Sequence, residues 1–317
     1  MDLTIIIVNW NTRDMLKDCL HSIMQTKGNI EIQIIVVDNA SSDGSREMVS
    51  SAFPEVTLIN SGDNIGFAKA NNLAIPHTTA PYILFLNPDT LLINNALKKM
   101  VNFLNSNPSV GALGCKTRNI DGTIQDPGLQ WRTTPFTKLI EMFFISSDTI
   151  KVLKRYLPYH EATNSGYVSW IFGGCLMVRE KALERAGNFD ERFFMYLEDA
   201  DLCRRIIDSG WKIYYLSEAE VIHVGGGASN KTTNQFATLM MCESMSKFMF
   251  KYYGKQGRIV YKYGVFISSC LRLTILLMFK MVKCCDIISK KTKGKKNIYK
   301  YTAMIKWSLG IKLPKIN

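Results

Sequence analysis

The run Leu3-Thr4-Ile5-Ile6-Ile7-Val8 opens the chain with residues that are almost all apolar and mostly β-branched. Such a run is typical of a strand that is covered on both faces, as in a parallel sheet between helices. A helical pattern follows at Arg13–Thr26, and Gln33–Val37 then repeats the strand pattern. This alternation predicts an α/β fold, with a mostly parallel sheet and helices on both faces.

The same alternation continues to about residue 224. The predicted strands are Leu3–Val8, Gln33–Val37, Val56–Ile59, Tyr82–Leu86, Val110–Cys115, Ser169–Val178, Lys212–Leu216 and Val221–Val224. The predicted helices are Arg13–Thr26, Ser42–Ser51, Gly66–Ile75, Asn94–Asn105, Arg179–Ala186 and Leu197–Ser209. Between them, Asp121–Pro158 is irregular and is interrupted by glycine and proline.

Polar side chains gather where the predicted strands end. They are Asn9 and Asn11, Asp38 and Asn39, Asn60, and Asn87 and Asp89. In an open α/β sheet, ligands bind at the carboxyl ends of the strands. Any one of these clusters could be a loop of ordinary turn residues, but the whole set favours one binding site at one edge of the sheet.

The length of 317 residues allows one large domain or two modest ones. The opening apolar run is too short for a secretion signal, and it has neither a basic start nor a small-residue cleavage site. The eight cysteines lack the spacing of a disulfide framework or a metal site. We therefore expect reduced thiols and a cytoplasmic location.

The net charge of +12 is unevenly distributed along the chain. Residues 245–317 carry 17 Lys or Arg and one acid, Asp286, whereas residues 1–244 carry 22 basic and 26 acidic side chains. This division argues against a nucleic-acid-binding core and confines any basic surface to the C-terminal region.

The C-terminal region, from Thr233 onward, has a helical pattern with interspersed basic and aromatic residues. Its apolar run Gly264–Phe279 contains Arg272 and is shorter than the ~20 residues that a spanning helix needs. The lysines that follow suit anionic lipid headgroups; they are Lys290, Lys291, Lys293, Lys295 and Lys296. We expect contact with a membrane surface; a core or dimer helix with a solvated tail is the alternative.

Two acidic segments could carry chemistry, and the first is Asn87-Pro88-Asp89-Thr90. A carboxylate that follows a strand on a proline-stiffened turn can bind Mg²⁺ or Mn²⁺ bridging two phosphates, which supply most of the other ligands together with water. The same four residues also make a good turn with no ligand.

The second acidic segment is Glu198-Asp199-Ala200-Asp201, at the predicted start of a helix whose dipole favours acids. The preceding residues 193–197 are aromatic or apolar, so we expect at least one acid to be partly desolvated and able to act as a general base. Arg204 or Arg205 could pair with another. Solvated acids at a helix start are the alternative.

Two further segments contain candidate ligands. His223 follows a strand and precedes Gly225-Gly226-Gly227, and a neutral imidazole is a good metal ligand, although a buried structural histidine fits equally. The segment Trp170-Ile171-Phe172-Gly173-Gly174 sets aromatic residues beside two glycines. It favours either a face for stacking a sugar ring or a packing strand with a bulge.

Taken in order, these segments resemble the family 2 glycosyltransferases of GT-A fold, in particular the bacterial rhamnosyltransferase-like branch. The matching stretches cover residues 3 to about 230. They are Ile6–Asn11, Val36–Gly44, Asn64–Asn72, Leu86–Thr90, Phe172–Val178, Gly187–Glu191, Tyr196–Arg205 and His223. The resemblance depends on their order more than on any single stretch.

The resemblance implies a Rossmann-like GT-A domain over residues 1–230, with a nucleotide-sugar half at 1–118 and an acceptor and catalytic half at 119–230. Residues 231–317 would form a helical, basic, membrane-associating region. The irregular segment Asp121–Pro158 would be a lid or an acceptor-side insertion, because so long a loop inside a compact domain is usually functional.

The resemblance also implies a set of site residues. Asp38 would contact the nucleotide base, Asp89 would bind the metal with His223 as a second contact, and Asp199 would deprotonate the acceptor hydroxyl. The other nucleotide-sugar contacts would be Asn9, Asn11, Asn64, Gly66, Asn71 and Asn87. The acceptor side would be formed or oriented by Trp170, Gly173, Gly174, Glu198, Asp201 and Arg205.

Two features qualify the resemblance. Many relatives have aspartate at the position of Asn87, so this chain has one charge fewer there. The Gln-x-x-Arg-Trp motif of processive synthases is absent from the sequence, which favours the addition of a single sugar.

The resemblance therefore implies inverting transfer, with Mg²⁺ or Mn²⁺, from a nucleotide-sugar donor. dTDP-L-rhamnose is the favoured donor; a UDP-hexose, a UDP-N-acetylhexosamine or a galactofuranose donor is the alternative. The acceptor would be a glycan or a lipid-linked glycan at the cytoplasmic face of the membrane, in the synthesis of a cell-surface polysaccharide such as O-antigen.

Two rival functions use a similar architecture. A nucleotidyltransferase would show a glycine-rich basic loop after the first strand, whereas Val8-Asn9-Trp10-Asn11-Thr12-Arg13 has no glycine. An inactive carbohydrate- or membrane-binding scaffold would not need both Asp89 and Asp199.

Overall fold

The computed structural model describes residues 1–125, 134–143, 164–225, 234–282 and 291–311. The chain divides by its internal contacts into two compact units. The first comprises Met1–Trp131 and Pro158–Lys231, and the second comprises Arg132–Leu157 and Thr232–Asn317.

The first unit contains the sheet and the second is helical over its described residues. The strands are β1 (Leu3–Asn9), β2 (Ile32–Asp38), β3 (Thr57–Asn60), β4 (Tyr82–Leu86), β5 (Thr90–Leu92), β6 (Val110–Arg118), β7 (Gly166–Tyr167), β8 (Cys175–Arg179) and β9 (Lys212–His223). The helices are α1 (Arg13–Thr26), α2 (Ser45–Ala52), α3 (Phe67–Ala74), α4 (Ala96–Ser106), α5 (Pro135–Phe143), α6 (Glu180–Ala186), α7 (Glu198–Asp208), α8 (Asn234–Val282) and α9 (Lys291–Ser308). A 3₁₀ turn, Ile75–His77, follows α3.

The strands form one mixed sheet in the order β3-β2-β1-β4-β8-β6-β9-β5, with β7 paired to β9. β1 pairs in parallel with β2 and β4, and β2 pairs in parallel with β3, so the carboxyl ends of these strands meet at one edge as predicted. Beyond β4 the pairing becomes mixed, because β8 is antiparallel to both β4 and β6. The expected α/β fold is confirmed.

Alternate residues of β1 pack on two different helical layers. Leu3, Ile5 and Ile7 are fully buried in a cluster that includes α1, α2 and α4. Ile6 and Val8 belong to the opposite cluster, with α3, α6 and α7. Because both faces of the strand are covered, its sequence is one continuous apolar run.

The predicted strand Ser169–Val178 forms only at its end, as β8. Gly173 and Gly174 make a turn instead, and a Cβ atom on Gly174 would lie 2.3 Å from Cε1 of Phe172. This close approach of a ring to the backbone prevents a regular strand here. Trp170 and Phe172 therefore lie between β7 and β8 and belong to neither strand.

The two strands predicted at Lys212–Leu216 and Val221–Val224 are one strand, β9. The pairing of β9 with β6 shifts in register between Cys115 and Lys116, at the residues of β9 that separate its two apolar parts. The pairing resumes after the shift. A bulge of this kind keeps a long strand paired despite an interrupted apolar pattern.

The second unit is built on α8, which is broken at Gly254, where φ is 64° and ψ is −162°. Helices α5 and α9 both pack on α8. Arg272 donates to the backbone oxygen of Met142 at 2.7 Å, and the Trp307 indole donates to Glu243 at 3.0 Å. By its contacts, α5 belongs with the C-terminal helices and not with the sheet, and the functional division at residue 230 stays a prediction.

Several expectations concern residues outside the described ranges. Most of the predicted lid, together with Gly226, Gly227 and Lys290, lies there, and the side chains of residues 291–296 are not described. Helix α8 is longer than the apolar run predicted at Gly264–Phe279. By length and composition alone, Gln235–Met278 is suited to crossing a membrane.

Gly66 joins α3 to the segment that precedes α7. Its backbone has φ 84° and ψ 168°, a region that is essentially restricted to glycine. The N–H of Phe67 donates to the carbonyl oxygen of Phe194 at 2.7 Å, and a Cβ atom on Gly66 would lie 2.5 Å from that oxygen. Glycine is therefore required here for both conformation and space.

We predict that Gly66→Ala lowers the free energy of unfolding by roughly 3 kcal/mol, since it adds a steric clash to backbone strain. Gly62→Ala is the matched control: Gly62 also has a positive φ of +80°, but its added Cβ would meet nothing within 4 Å. It should cost about 1 kcal/mol. Urea denaturation measures both, and equal losses would contradict the importance of the Phe194 contact.

Candidate active site

The carboxyl ends of β1 and β2 hold a buried polar network. Asn9 and Asp38 are paired in the sheet register. The Asn9 amide donates to Asp38 Oδ1 at 3.3 Å and to Ser41 Oγ at 3.1 Å, and the Ser41 N–H donates to Asp38 Oδ2 at 2.9 Å. Arg46 lies 3.8 Å from Asp38 Oδ2. The carboxylate of Asp38 is therefore fixed at the edge of the sheet.

The same network extends to two neighbouring loops. Asn11 accepts the N–H of Ser42 at 2.7 Å, which holds the loop after β1 to the loop after β2. Asn39 donates to Asn64 Oδ1 at 2.9 Å, and the Gly66 N–H donates to the same oxygen at 3.2 Å. The structure thus brings Asn11, Asn64 and Gly66 into one hydrogen-bonded edge with Asp38.

Asn71 is placed differently. It lies within α3, is 1% exposed, and donates to the carbonyl oxygen of Phe67 one turn earlier in the same helix. This hydrogen bond is internal to the helix and does not join Asn71 to the network around Asp38.

The segment from Asn87 to Thr90 forms a turn that is tied to Gly174. The N–H of Asn87 donates to the Gly174 carbonyl oxygen at 3.0 Å, and the N–H of Thr90 closes the turn on the carbonyl of Asn87 at 3.2 Å. Thr90 then pairs with His223 where β5 meets β9. This short pairing places Asp89 beside His223.

Asp89 and His223 together fit a divalent cation. Asp89 Oδ1 lies 3.2 Å from His223 Nε2, and both side chains are largely buried. Two adjacent ligands of an octahedral cation are about 3 Å apart at the usual bond lengths. Carboxylate and imidazole are both suitable donors.

The protein offers few other ligands at this place. Within the described ranges, no group of three or more His, Cys, Asp or Glu side chains is arranged to hold a metal. A cation at Asp89 and His223 would therefore complete its coordination with diphosphate oxygens and water.

Asp199 lies at the first turn of α7 with both carboxylate oxygens oriented by the backbone. Oδ2 accepts the N–H of Gly173 at 2.8 Å, and Oδ1 accepts the N–H of Ala200 at 2.7 Å. Burial raises the pKa of Asp199, and these two hydrogen bonds partly oppose that rise because they favour the charged form. The result is an oriented carboxylate with a raised pKa, as a general base requires.

Glu198, the neighbour of Asp199, is more strongly perturbed. Burial raises its pKa well above the usual range, and the charge of Asp199 raises it further. Its Oε2 atom is buried without a hydrogen-bond partner. Ionisation of one of these adjacent buried acids opposes ionisation of the other, and the backbone hydrogen bonds to Asp199 favour the charge on Asp199.

Tyr196 and Leu197 orient the start of α7. Both have left-handed backbone angles, with φ of 70° and 66°, which are uncommon for residues other than glycine. Such conformations cost about 1–3 kcal/mol each and persist where surrounding contacts enforce them. Here the change of direction follows Phe194, which is bonded to Phe67, and leads directly into the two acids.

The side chains of Asp201 and Arg205 form an ion pair with each other, and Arg205 also bonds backbone oxygens of α6 and the residue after it. Arg205 Nε lies 2.8 Å from Asp201 Oδ2, and Asp201 is fully buried. Arg205 also donates to the carbonyl oxygens of Ala186 and Gly187, at 2.6 and 2.7 Å. The pair anchors α7 to the end of α6. Trp170 is partly buried and packs against the core cluster to which both helices contribute.

The turn at Gly173 and Gly174 connects the separate parts of the site. The N–H of Gly173 donates a hydrogen bond to the Asp199 carboxylate, and the carbonyl oxygen of Gly174 accepts one from the N–H of Asn87. The ring of Phe172 meets the ring of His223 edge to face, with centroids 5.4 Å apart. One turn therefore positions the candidate base, the acidic turn and the histidine.

The structure adds residues that the sequence interpretation did not select. Ser41 holds the edge network and lies in the stretch Val36–Gly44, whose resemblance to the family could have indicated it. Asn39, which the polar residues after the second predicted strand did indicate, donates to Asn64 in the same network. Gln125 contacts both the ring and the backbone of His223. Its position in an irregular segment gave no signal in the sequence.

The fold is matched by known proteins. The sequence model described as Glycosyl transferase family 2 matches residues 4–185, and the chain belongs to this family. Its GT-A fold and its place in the rhamnosyltransferase-like branch agree with the resemblance found in the sequence.

Curated relatives match about two thirds of the chain. An N-acetylglucosaminyl-diphospho-decaprenol L-rhamnosyltransferase of Mycobacterium tuberculosis is 28% identical over 213 residues, which are 61% of this chain and 66% of that protein. The rhamnosyltransferase WbbL of Escherichia coli is 27% identical over 226 residues, covering 69% of this chain and 82% of that protein. The match to the mycobacterial protein thus leaves about a third of that protein's length uncovered.

A solved structure shows the same fold. The mannosyltransferase PcManGT of Pyrobaculum calidifontis, in complex with GDP-Man and Mn²⁺, superposes with a TM-score of 0.57 at 14% identity. The match covers 98% of this chain and 86% of that one. At this identity the likeness concerns the fold alone.

We predict that Glu198→Gln makes stability less dependent on pH. The folded protein holds a proton on Glu198 that the unfolded chain releases above the ordinary carboxyl pKa, so the free energy of unfolding falls as pH rises toward the raised pKa. Urea denaturation between pH 5 and 8 should show a smaller fall for Glu198→Gln than for the wild type. The exposed Glu55→Gln should behave as the wild type does; a wild-type slope in Glu198→Gln would show that Glu198 is ionised in the fold.

Proposed function

We propose that the chain transfers a single sugar, with inversion, from a nucleotide-sugar donor to a hydroxyl of a glycan or lipid-linked glycan. The observation that carries this proposal is the Gly173–Gly174 turn, which holds the oriented base Asp199 and the Asn87–Asp89 turn in one unit. Because the chain belongs to glycosyl transferase family 2, a nucleotide sugar is the expected donor.

The donor would lie across the carboxyl ends of β1, β2 and β4. Asp38 is the anchor for the nucleotide base, because its carboxylate is held in place by Asn9 and Ser41. Asp89 and His223 would hold Mg²⁺ or Mn²⁺. When bound, the cation would neutralise the charge that develops on the diphosphate leaving group.

Asp199 acts on the acceptor. Its carboxylate removes the proton from the acceptor hydroxyl, and the oxygen attacks the anomeric carbon on the face opposite the diphosphate. The new carbon–oxygen bond forms as the bond to the diphosphate breaks, and the nucleoside diphosphate leaves. Burial raises the pKa of the neighbouring Glu198, which disfavours a second negative charge beside Asp199.

We predict that Asp199→Asn lowers turnover by about 10²–10⁴-fold while donor affinity stays nearly unchanged, because the substitution removes the base and keeps the shape. Transfer assays give turnover and calorimetry gives donor affinity. Asp208→Asn, an exposed acid on the same helix, is the matched control and should retain activity. An equal fall in affinity and turnover would contradict the assignment of Asp199 as the base.

The favoured donor is dTDP-L-rhamnose. The M. tuberculosis and E. coli relatives are both named as rhamnosyltransferases, and this supports rhamnose for the present chain. We expect dTDP-L-rhamnose to give the fastest transfer or hydrolysis in a panel that includes a UDP-hexose, UDP-N-acetylglucosamine and GDP-mannose. A faster reaction with any other donor would reassign the sugar while leaving the chemistry intact.

A lipid-linked acceptor would bring the enzyme to the cytoplasmic face of the membrane. Helix α8 carries an exposed apolar stripe at helical spacing: Tyr263, Ile267, Leu271, Ile275 and Met278, which are 47–65% exposed. Basic residues of the same helix, Lys255 and Arg258, are exposed as well. This combination suits a surface of anionic lipid.

Arg272 does not disturb the stripe. Its guanidinium donates to the carbonyl oxygen of Met142 and lies over the ring of Tyr301, 5.7 Å from the centroid. The partners of the Arg272 guanidinium therefore lie within the second unit, and the neighbouring apolar side chains remain available to contact lipid.

We predict that the double substitution Ile267→Glu and Leu271→Glu weakens binding to phosphatidylglycerol vesicles by at least about tenfold, because two apolar side chains that would enter the lipid are lost. Vesicle co-sedimentation measures the change. Ile120→Glu, which alters a 70% exposed residue of the first unit, is the control and should bind nearly as the wild type does. Unchanged binding of the double variant would assign α8 to protein contacts.

A further inference from the structure

We infer that Gln125 is a positioning residue that fixes the tautomer of His223 and so presents the Nε2 lone pair to the cation site. This inference rests on the proposed metal-assisted function. Gln125 Oε1 lies 3.2 Å from His223 Nδ1, and Gln125 Nε2 lies 3.3 Å from the carbonyl oxygen of the same histidine. One side chain thus contacts both the ring and the backbone of His223.

A short β-hairpin places Gln125 beside His223. Arg118 and Ile124 form an antiparallel bridge, and the N–H of Gln125 donates to the carbonyl oxygen of Thr117 at 2.9 Å. Arg118 is itself held by Glu220 of β9, with a contact of 2.8 Å. The hairpin is therefore fastened to the strand that carries His223.

The orientation of the Gln125 amide is determined by its partners. A backbone carbonyl only accepts, so the atom facing the His223 oxygen must be the donating nitrogen, which also donates to Asn119 Oδ1 at 2.8 Å. The amide oxygen then faces His223 Nδ1. Because that oxygen only accepts, Nδ1 must carry the proton.

The neutral ring has one proton, so Nε2 is left with its lone pair. That lone pair faces Asp89 Oδ1 at 3.2 Å, and the carboxylate oxygen is also an acceptor. With the proton on Nδ1, the lone pair of the neutral ring and the carboxylate oxygen can bind the same cation as adjacent ligands. The arrangement is therefore poised to bind a cation, as in metal sites where a second partner fixes the ligand tautomer.

Without Gln125 the ring could take the other tautomer. An Nε2–H group would donate to Asp89 directly and occupy the position of the cation. Metal binding would then require this proton to move. Loss of Gln125 should therefore weaken the cation site without altering either of its ligands.

The first experiment measures Mn²⁺ binding by electron paramagnetic resonance in the presence of saturating dTDP, with UDP and GDP as parallel probes. We expect Gln125→Ala to weaken Mn²⁺ binding by about 10–100-fold. Gln125→Glu keeps an acceptor for Nδ1–H but loses the donor to the His223 carbonyl and to Asn119, so it should bind Mn²⁺ more tightly than Gln125→Ala does. Gln33→Ala, which removes a glutamine bonded to the carbonyl of His77, is the matched control.

Asp89→Ala serves as the reference for a lost metal ligand. If the wild type and Asp89→Ala bind Mn²⁺ equally with all three nucleotides, the proposed metal site is wrong and the role of Gln125 falls with it. If only Asp89→Ala is weakened and Gln125→Ala is not, the metal site stands and the inference about Gln125 is overturned.

A second experiment needs neither metal nor activity. Long-range ¹H–¹⁵N spectra of the imidazole, assigned with His223→Gln, report which ring nitrogen carries the proton. At a pH where the ring is neutral, the wild type should show Nδ1–H and Gln125→Ala should shift toward Nε2–H. An Nε2–H tautomer in the wild type, or no change in the variant, would overturn the inference.

Discussion

Two backbone hydrogen bonds made by one turn hold the site together. Gly173 donates to Asp199, and Gly174 accepts from Asn87, so the first residue of the turn sets the base and the second sets the acidic turn of the sheet edge. A side chain is opposed at both glycines: a Cβ on Gly173 would make a tight contact of 3.1 Å with Asp199 Cβ, and one on Gly174 would clash with the Phe172 ring at 2.3 Å. The spacing between Asp199 and the Asn87–Asp89 turn is therefore set by hydrogen bonds of the main chain.

The two acids at the start of α7 show how environment divides the work between neighbours. Both are buried, and burial raises the pKa of each. Asp199 receives two N–H donors that favour its charged form, while Glu198 has a buried oxygen without a partner. Adjacent carboxyl groups of nearly the same intrinsic acidity thus have pKa values that are raised to different extents, because the hydrogen bonds from Gly173 and Ala200 favour the charged form of Asp199.

Local pattern was sufficient for the strands that are covered on both faces. β4 ends at the predicted residues, and β1 extends only one residue further. β5 was missed because Thr90–Leu92 is too short to show a period and exists only through its pairing with β9. Gln125 was missed for a related reason, since it lies 98 positions from His223 in the sequence. Single-sequence patterns describe periodicity, and contacts between distant segments lie beyond them.

The Gly66–Phe194 contact has a consequence for building chimeric enzymes. It couples the segment around α3 to the segment before Asp199, the candidate base, although 128 positions of sequence separate the two residues. A hybrid that joined residues 1–118 of one family member to the remainder of another would inherit the two sides from different parents. Grafts of this kind should fold well only when the parent of residues 1–118 has glycine at the equivalent of position 66, so the two segments cannot be exchanged independently of each other.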